Sequence, residues 1–512
     1  MSSLNDQGWA SALTLLVAST AAAADSSPDA EVLFARHCAS CHGADRLGGV
    51  GPALLPGNLK RLRRAAAASV IADGRPATQM PGFSETLDAA AVEALADLIY
   101  TPLADPPRFG MPEIERTRIV HRPLDTLGAE PVFAADPLSL FIVVEQGDHH
   151  ATVLDGDRLE PLHRFPTRFA LHGGPKFSPD GRFVYLASRD GWITRYDLYE
   201  LAPVAEIRAG INTRNLAVSG DGRYVMVANY LPHTLTLLDA RELLPLAVIP
   251  VRSSVGETSR VSAVYTAPPR GTFVVALKDL PEVWEIAWRE PLPEGFAPEG
   301  ERTGGGLALR RLGLAGILDD FFFDAGYEHL IGASREGFGQ VVELDSGRAI
   351  VDIDLPGLPH LGSGITWEAG GRTVLATPNL KEGVVSVIDT ATWRTVRRIE
   401  TLGPGFFMRS HENSRYAWVD VFFGPHRDAV HVIDKARLEI VETLRPAPGK
   451  TAAHVEFTRD GRHALLSIRD RDGAVVVYDA ATLKEVKRIP MDKPSGKYNV
   501  YNRITRSRGT SH

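Results

Sequence analysis

The segment His37-Cys38-Ala39-Ser40-Cys41-His42-Gly43 holds both of the chain's cysteines, in the spacing C-x-x-C-H. Two thiols so placed can add to the vinyl groups of a haem while the next imidazole binds its iron, so one turn does three jobs. A redox C-x-x-C has no need of the final histidine, and a zinc site would require a second ligand pair that two cysteines cannot supply as thiolates. The spacing therefore assigns one covalent haem c, attached at Cys38 and Cys41 and ligated by His42. The opposite ligand is expected from Thr78-Gln79-Met80-Pro81-Gly82-Phe83, where a Pro-Gly loop can hold a thioether rigidly. Met80 is one of six methionines, and it lies between the haem motif and the next amphipathic helix. A His-Met pair suits electron transfer.

Three further histidines recur at a similar point of a repeat: His172 in Leu171-His172-Gly173-Gly174, His360 in Leu358-Pro359-His360-Leu361-Gly362, and His454 in Ala453-His454-Val455. A lone loop histidine is more often structural or solvated; three in phase point to a shared central site. His411, in Arg409-Ser410-His411-Glu412, reads as a solvated turn residue, and the adjacent His149 and His150 read as surface residues of a turn.

The elements that must position these groups follow from pattern and length. At 512 residues the chain exceeds one ordinary core. The expected fold is an α + β multidomain chain, a small all-α c-type cytochrome domain (residues 25–103) followed by an eight-bladed β-propeller (residues 135–512). The intervening stretch 104–134 reads as linker and start of the propeller, because the prolines from Pro102 to Pro112 discourage continued helix. Asp88 to Tyr100 is expected as the last helix of the first domain, with Val92, Leu95, Leu98 and Ile99 on one face.

Beyond Ala135 a turn, an apolar strand, a polar break and a second apolar strand return, as in Ser178-Pro179-Asp180-Gly181-Arg182 before Phe183-Val184-Tyr185-Leu186. Eight copies close near Asp155, Asp197, Asp239, Trp284 to Ile286, Asp345, Asp389, Asp434 and Asp479, the spacing of four-stranded blades. Residues Lys497 to Ile504 are expected to complete a blade begun at the domain's start. A β-sandwich would not show so many regular copies.

Ala10 to Ala24 is apolar and rich in small residues, and it reads as the core and cleavage site of a signal peptide spanning residues 1–24. The segment before it carries Asp6 and no Lys or Arg, so a buried alanine-rich helix remains the alternative. The stretch is too short for a membrane span. The net charge of -7, with Lys and Arg dispersed, excludes nucleic acid as an expected partner.

A c-type cytochrome ahead of an eight-bladed propeller resembles the cytochrome cd1 nitrite reductase superfamily, whose propeller holds non-covalent haem d1. The resemblance is carried by Leu171-His172, Ser188-Arg189-Asp190, Ile211-Asn212-Thr213-Arg214, Pro359-His360-Leu361-Gly362 and the tail Gly496-Lys497-Tyr498-Asn499-Val500-Tyr501-Asn502. It implies that His172 binds the haem d1 iron and that Arg189 and Arg214 pair with haem d1 carboxylates, as guanidinium forks do. Without the resemblance, each arginine would be read as a blade-surface ion pair.

Nitrite reductases of the superfamily set two distal histidines over that iron, whereas Val261 to Phe273 contains none and only His360 matches. This departure is similar to the branch of the superfamily that completes the cofactor. The resemblance then implies a periplasmic oxidoreductase of denitrification, acting in the last step of haem d1 biosynthesis. There a propionate of dihydro-haem d1 becomes an acrylate and the electrons pass to haem c. His454 would be the base, with His360 and Tyr498 shaping the pocket or assisting. An electron-accepting soluble cytochrome, the nitrite reductase itself and other haem d1 biosynthesis proteins are the implied partners. A nitrite reductase and a haem d1 carrier or insertion protein are the alternatives.

Overall fold

The computed structural model describes residues 29–505 except 50, 61, 76–79, 290–294, 300–306 and 335–336. The segment read as a signal peptide, residues 1–24, lies outside the described residues, as do Thr78 and Gln79 of the methionine loop.

Among the described residues the first domain consists of helices Ala30–His37, Ala39–His42, Pro56–Leu59, Arg64–Asp73 and Ala89–Tyr100. Asp29 caps the first by accepting from the amides of Glu31 and Val32, and Asp88 caps the last through the Ala91 amide. Each satisfies donors that a helix start leaves open. Phe34, Leu59, Ala67, Ile71, Val92, Leu95 and Ile99 form the core, with Cys38 and Leu98 packed half-buried against it.

The rest of the chain forms eight antiparallel sheets, as the repeat implies. The turn chemistry explains the regularity. Ser178 Oγ donates to Asp180 at 2.5 Å, Asp180 accepts from the Arg182 amide at 3.1 Å, and Gly181 takes φ +76°. The same set returns at Ser219, Asp221 and Gly222 and at Thr458, Asp460 and Gly461. Short polar side chains bond their own backbone, and glycine supplies the left-handed step. Aspartates 155, 197, 389, 434 and 479 end third strands and accept from amides two residues on. In the fifth sheet the strand Phe338–Glu343 ends two residues before Asp345, and Gly347 makes the left-handed step. Asp345 instead lies in the turn and pairs with Arg270 at 2.7 Å.

The inner strands are Lys176–Phe177, Asn212–Val218, Val261–Ala267, Asp320–Phe323, Ile365–Ala369, Met408–Arg409, Ala452–Phe457 and Pro494–Asn499. Outer strands such as Arg394–Glu400 and Glu485–Met491 are largely exposed. Closure joins the ends of the domain, because Pro494–Asn499 pairs with Phe141–Glu145. Circular closure removes the free edges that an open sheet would present. Ile119–Val120 adds a fifth strand outside Ala202–Arg208. No helix among the described residues is long and apolar enough to cross a membrane.

Candidate functional site: a haem turn and the mouth of the propeller

Cys38 and Cys41 flank one helical turn that ends at His42. The His42 ring is buried, and its Nδ1 lies 2.8 Å from the Pro52 carbonyl. That bond selects the tautomer whose Nε2 lone pair can bind iron, and it fixes the ring plane. A Cβ at Gly51 would stand 2.7 Å from the His42 ring, so only glycine lets the chain pass there. Met80 follows the helix Arg64–Asp73 in a loop tied by the Arg75 amide to its own carbonyl at 3.0 Å and by the Phe83 amide to Ile71 and Ala72. The Phe83 ring meets His37 at 5.9 Å, next to the attachment cysteine. These residues fit a covalent haem c.

The second cluster draws a side chain from each inner strand or the loop leading into it: His172, Arg214, Tyr265, Asp320, His360, Arg409, His454 and Tyr498. The His172 amide bonds the Ala187 carbonyl at 2.9 Å and its Nδ1 meets the Arg214 carbonyl at 2.5 Å, which again selects the tautomer whose Nε2 is able to bind a metal. Gly173 and Gly174 both adopt left-handed backbone, and Cβ atoms there would meet the Arg214 carbonyl at 2.9 Å and the Tyr498 hydroxyl at 3.0 Å. The His-Gly-Gly run thus brings Arg214 and Tyr498 against the loop of His172.

His454 occupies a β-bulge. The pairing register shifts between Ala453 and Val455, and His454 takes φ +56°. A bulge re-aims a side chain, and a histidine held in the left-handed region marks a place where the surroundings enforce the conformation. They do so through Asp420, whose carboxylate accepts from the amides of His454 at 3.1 Å, Phe406 at 2.7 Å and Phe407 at 3.0 Å. A continuous ring chain results: His360 to Phe406 at 4.3 Å, Phe406 to Phe407 at 4.5 Å, Phe407 to His454 at 4.7 Å and His454 to Tyr498 at 5.1 Å. His454 is 3% exposed, whereas Tyr498 is only half-buried and is therefore the more accessible of the two.

Burial keeps the imidazoles of His360 and His454 neutral. Burial, then the charges of Lys497, Arg409 and Arg503, hold His454 well below its ordinary pKa, and burial lowers His360 against the opposing pull of Asp320. Burial pushes Asp420 up to about 6. Lys176 and Lys497 are brought down to about 7 and Arg409 to about 9, by burial first. Arg409 and Arg503 both face the fully buried Glu456, at 3.7 and 3.4 Å. Cations outnumber carboxylates here, an arrangement that favours a polyanionic guest.

Sequence reasoning passed over Lys176, Arg409, Asp420, Arg503, Tyr265 and Asp320. The Tyr265 hydroxyl donates to Asp320 at 3.0 Å, and the other Asp320 oxygen accepts from the Gly362 amide at 2.6 Å and lies 3.8 Å from His360 Nε2. Tyr265 stands within Val261–Ala267, inside the segment without a histidine. Arg214 lies 4.5 Å over the Tyr230 ring, and Arg189 is half-buried with its amide on the Ala170 carbonyl at 3.2 Å. His411 is 1% exposed rather than solvated: its turn packs on the Asp460-Gly461 turn of the next blade, where a Gly461 Cβ would strike its ring at 2.3 Å.

Residues 135–503 match the family model "Cytochrome D1 heme domain", and residues 26–99 match "Cytochrome C oxidase, cbb3-type, subunit III". The chain is 57% identical over 502 residues to dihydro-heme d1 dehydrogenase of Pseudomonas aeruginosa, covering 98% of this chain and 99% of that protein. It is 25% identical over 559 residues to a nitrite reductase of Stutzerimonas stutzeri, covering 96% of each. A solved structure of dihydro-heme d1 dehydrogenase NirN in complex with DHE superposes with a TM-score of 0.88 at 58% identity, over 93% of this chain and 99% of that one.

Proposed function

The chain belongs to the cytochrome D1 heme domain family, and from that premise we propose that it is a periplasmic dehydrogenase of haem d1 biosynthesis. The substrate is dihydro-haem d1, whose saturated propionate becomes an acrylate. The side chain –CH2–CH2–COO⁻ becomes –CH=CH–COO⁻, releasing two protons and two electrons.

The observation that carries the reading is the mouth itself, where neutral imidazoles and a half-buried tyrosine adjoin a surplus of buried cations. His172 holds the substrate iron through Nε2. Arg189 and Arg214, with Lys176, Arg409 and Arg503, receive its carboxylates. His454 is the base: burial keeps it unprotonated, and Tyr498 stands between it and the His172 loop, so the hydroxyl touches the substrate and passes the proton inward. His360 and Phe406 wall the opposite side. Cys38, Cys41, His42 and Met80 would hold covalent haem c, which would supply a one-electron acceptor. Two turnovers of that acceptor, or a soluble cytochrome that reoxidises it, complete the balance. The nitrite reductase that uses the product is a further partner.

The test is anaerobic mixing of oxidised protein with dihydro-haem d1. Reduction of haem c and a tetrapyrrole lighter by two hydrogens are expected. Return of unchanged tetrapyrrole with haem c still oxidised would overturn the dehydrogenase in favour of a carrier.

A further inference from the structure

Arg208 ends the outer strand Ala202–Arg208, yet it is only 6% exposed, and the acceptors its guanidinium meets are not carboxylates. Its guanidinium spends its donors on three backbone carbonyls instead. Nε donates to Asp190 at 2.8 Å, Nη2 to Leu47 at 2.5 Å and Nη1 to Gly48 at 3.4 Å. The first carbonyl belongs to the propeller and the other two to the haem-bearing turn.

The haem-bearing end of this contact depends on a glycine: Gly48 has φ +87°, and a Cβ there would stand 2.8 Å from the Ala53 nitrogen and 2.9 Å from Nη2. Phe109 covers the guanidinium at 5.4 Å, and Ala53 and Leu55 pack with Ile211 alongside. Burial lowers the Arg208 pKa, opposed by Asp190 and Asp45. An arginine is nevertheless charged at any working pH.

The hydrogen bonds continue in both directions. On the cytochrome side the Gly48 amide donates to the His42 carbonyl at 2.7 Å. On the propeller side Asp190 belongs to the run Ala187 to Asp190, whose Ala187 carbonyl accepts from the His172 amide at 2.9 Å and whose Arg189 carbonyl accepts from the Thr213 amide at 3.3 Å. Two iron ligands, one in each domain, are thus linked through a single side chain.

We propose that Arg208 is the positioning residue that docks the haem turn on the propeller and supplies the bonded path along which electrons leave the substrate for the first domain. The proposal rests on the dehydrogenase reading for its direction of transfer. Its structural half, the docking, does not. Orientation at fixed separation is what such a contact gives to a reaction between two held groups.

The test uses the whole holoprotein with Arg208→Met, which keeps length and removes every donor, and Arg208→Lys, which returns the charge and one cluster of donors. Substrate is mixed anaerobically and haem c reduction is followed in a stopped-flow cell. A slowing of tenfold or more is expected for Arg208→Met and partial rescue for Arg208→Lys, with the bound-tetrapyrrole spectrum and reduction of haem c by ascorbate unchanged. Asn58→Ala, which removes a separate bond to the Ile211 carbonyl of 3.5 Å, is expected to leave the rate within twofold. Hydrogen exchange at the Gly48 amide should quicken in Arg208→Met without substrate present. An unaltered rate with unaltered exchange overturns the proposal. Quickened exchange where the native protein itself reduces no haem c would keep the docking and discard the dehydrogenase reading instead.

Discussion

The mouth of the propeller and its rim are made from the same repeat but treat charge oppositely. At the rim, Glu285 is fully buried and is met by Arg270 at 2.8 Å, Arg310 at 2.6 Å and the Thr272 hydroxyl at 2.9 Å. Glu206 likewise meets Arg168, His121 and Thr194. At the mouth, Arg409 and Arg503 share Glu456 at longer range while Lys176 and Lys497 sit beside them with depressed pKa values. Rim carboxylates are each matched by close cations, whereas at the mouth buried cations outnumber carboxylates and Lys176 and Lys497 bond to carbonyl and hydroxyl oxygens instead. A local excess of buried positive charge strengthens the binding of an anion.

The sharpest way to break that contrast is Tyr498→Phe. It removes one hydroxyl from the mouth and leaves the edge-on ring contact with His454. A fall in turnover of about 10²- to 10⁴-fold, the usual range for an acid–base group, is expected in single-turnover haem c reduction, with native melting temperature. His454→Ala, which removes the base behind Tyr498, is expected to give a loss of the same order. Next in size, Arg409→Met should weaken dihydro-haem d1 binding by roughly ten- to a hundredfold, since a charge-assisted bond contributes about 1.5–3 kcal/mol. Spectroscopic titration reads this. The melting temperature of the substrate-free variant should hold or rise, because Arg503 still pairs with Glu456.

Arg270→Met should do the reverse at the rim. With Arg310 still on Glu285, a loss of about 1–3 kcal/mol is expected, seen as a lower denaturation midpoint with unchanged substrate affinity. The smallest effect concerns His431, where burial and Arg445 bring the pKa down to about 4. Its Nδ1 meets Thr443 at 2.9 Å and its Nε2 accepts from the Leu402 amide at 3.1 Å, so both nitrogens are used in the neutral form. The unfolded chain takes up that proton near pH 6.5 and the folded one only near 4, so this stability is complete above 6.5 and is lost as pH falls toward 4. His431→Gln should flatten that part of a midpoint-against-pH profile.

The haem turn was readable because every residue it needs lies within five positions, Cys38 to His42. The propeller was readable because its turns repeat the same Ser-Asp-Gly chemistry. His172, His360 and His454 stood out by their shared phase. Their neighbours did not, because apposition across blades creates them: Asp320 meets Tyr265 from 55 residues away, and Arg208 reaches Leu47 across 161. Gly173-Gly174 was the local signal of close approach, since two left-handed glycines in a row imply something pressed against them. His411 misled for the opposite reason, since its polar turn is covered by a turn of the next blade.

The most direct measurement uses dihydro-haem d1 carrying deuterium on both saturated carbons of the propionate. It is mixed anaerobically with oxidised native protein and with Tyr498→Phe. From the native protein, a product that has lost one deuterium from each carbon, with two equivalents of haem c reduced per product, is expected; the variant should bind the substrate and release it intact. Full retention of deuterium by the native protein, or equal loss by the variant, would contradict oxidation at the mouth through Tyr498.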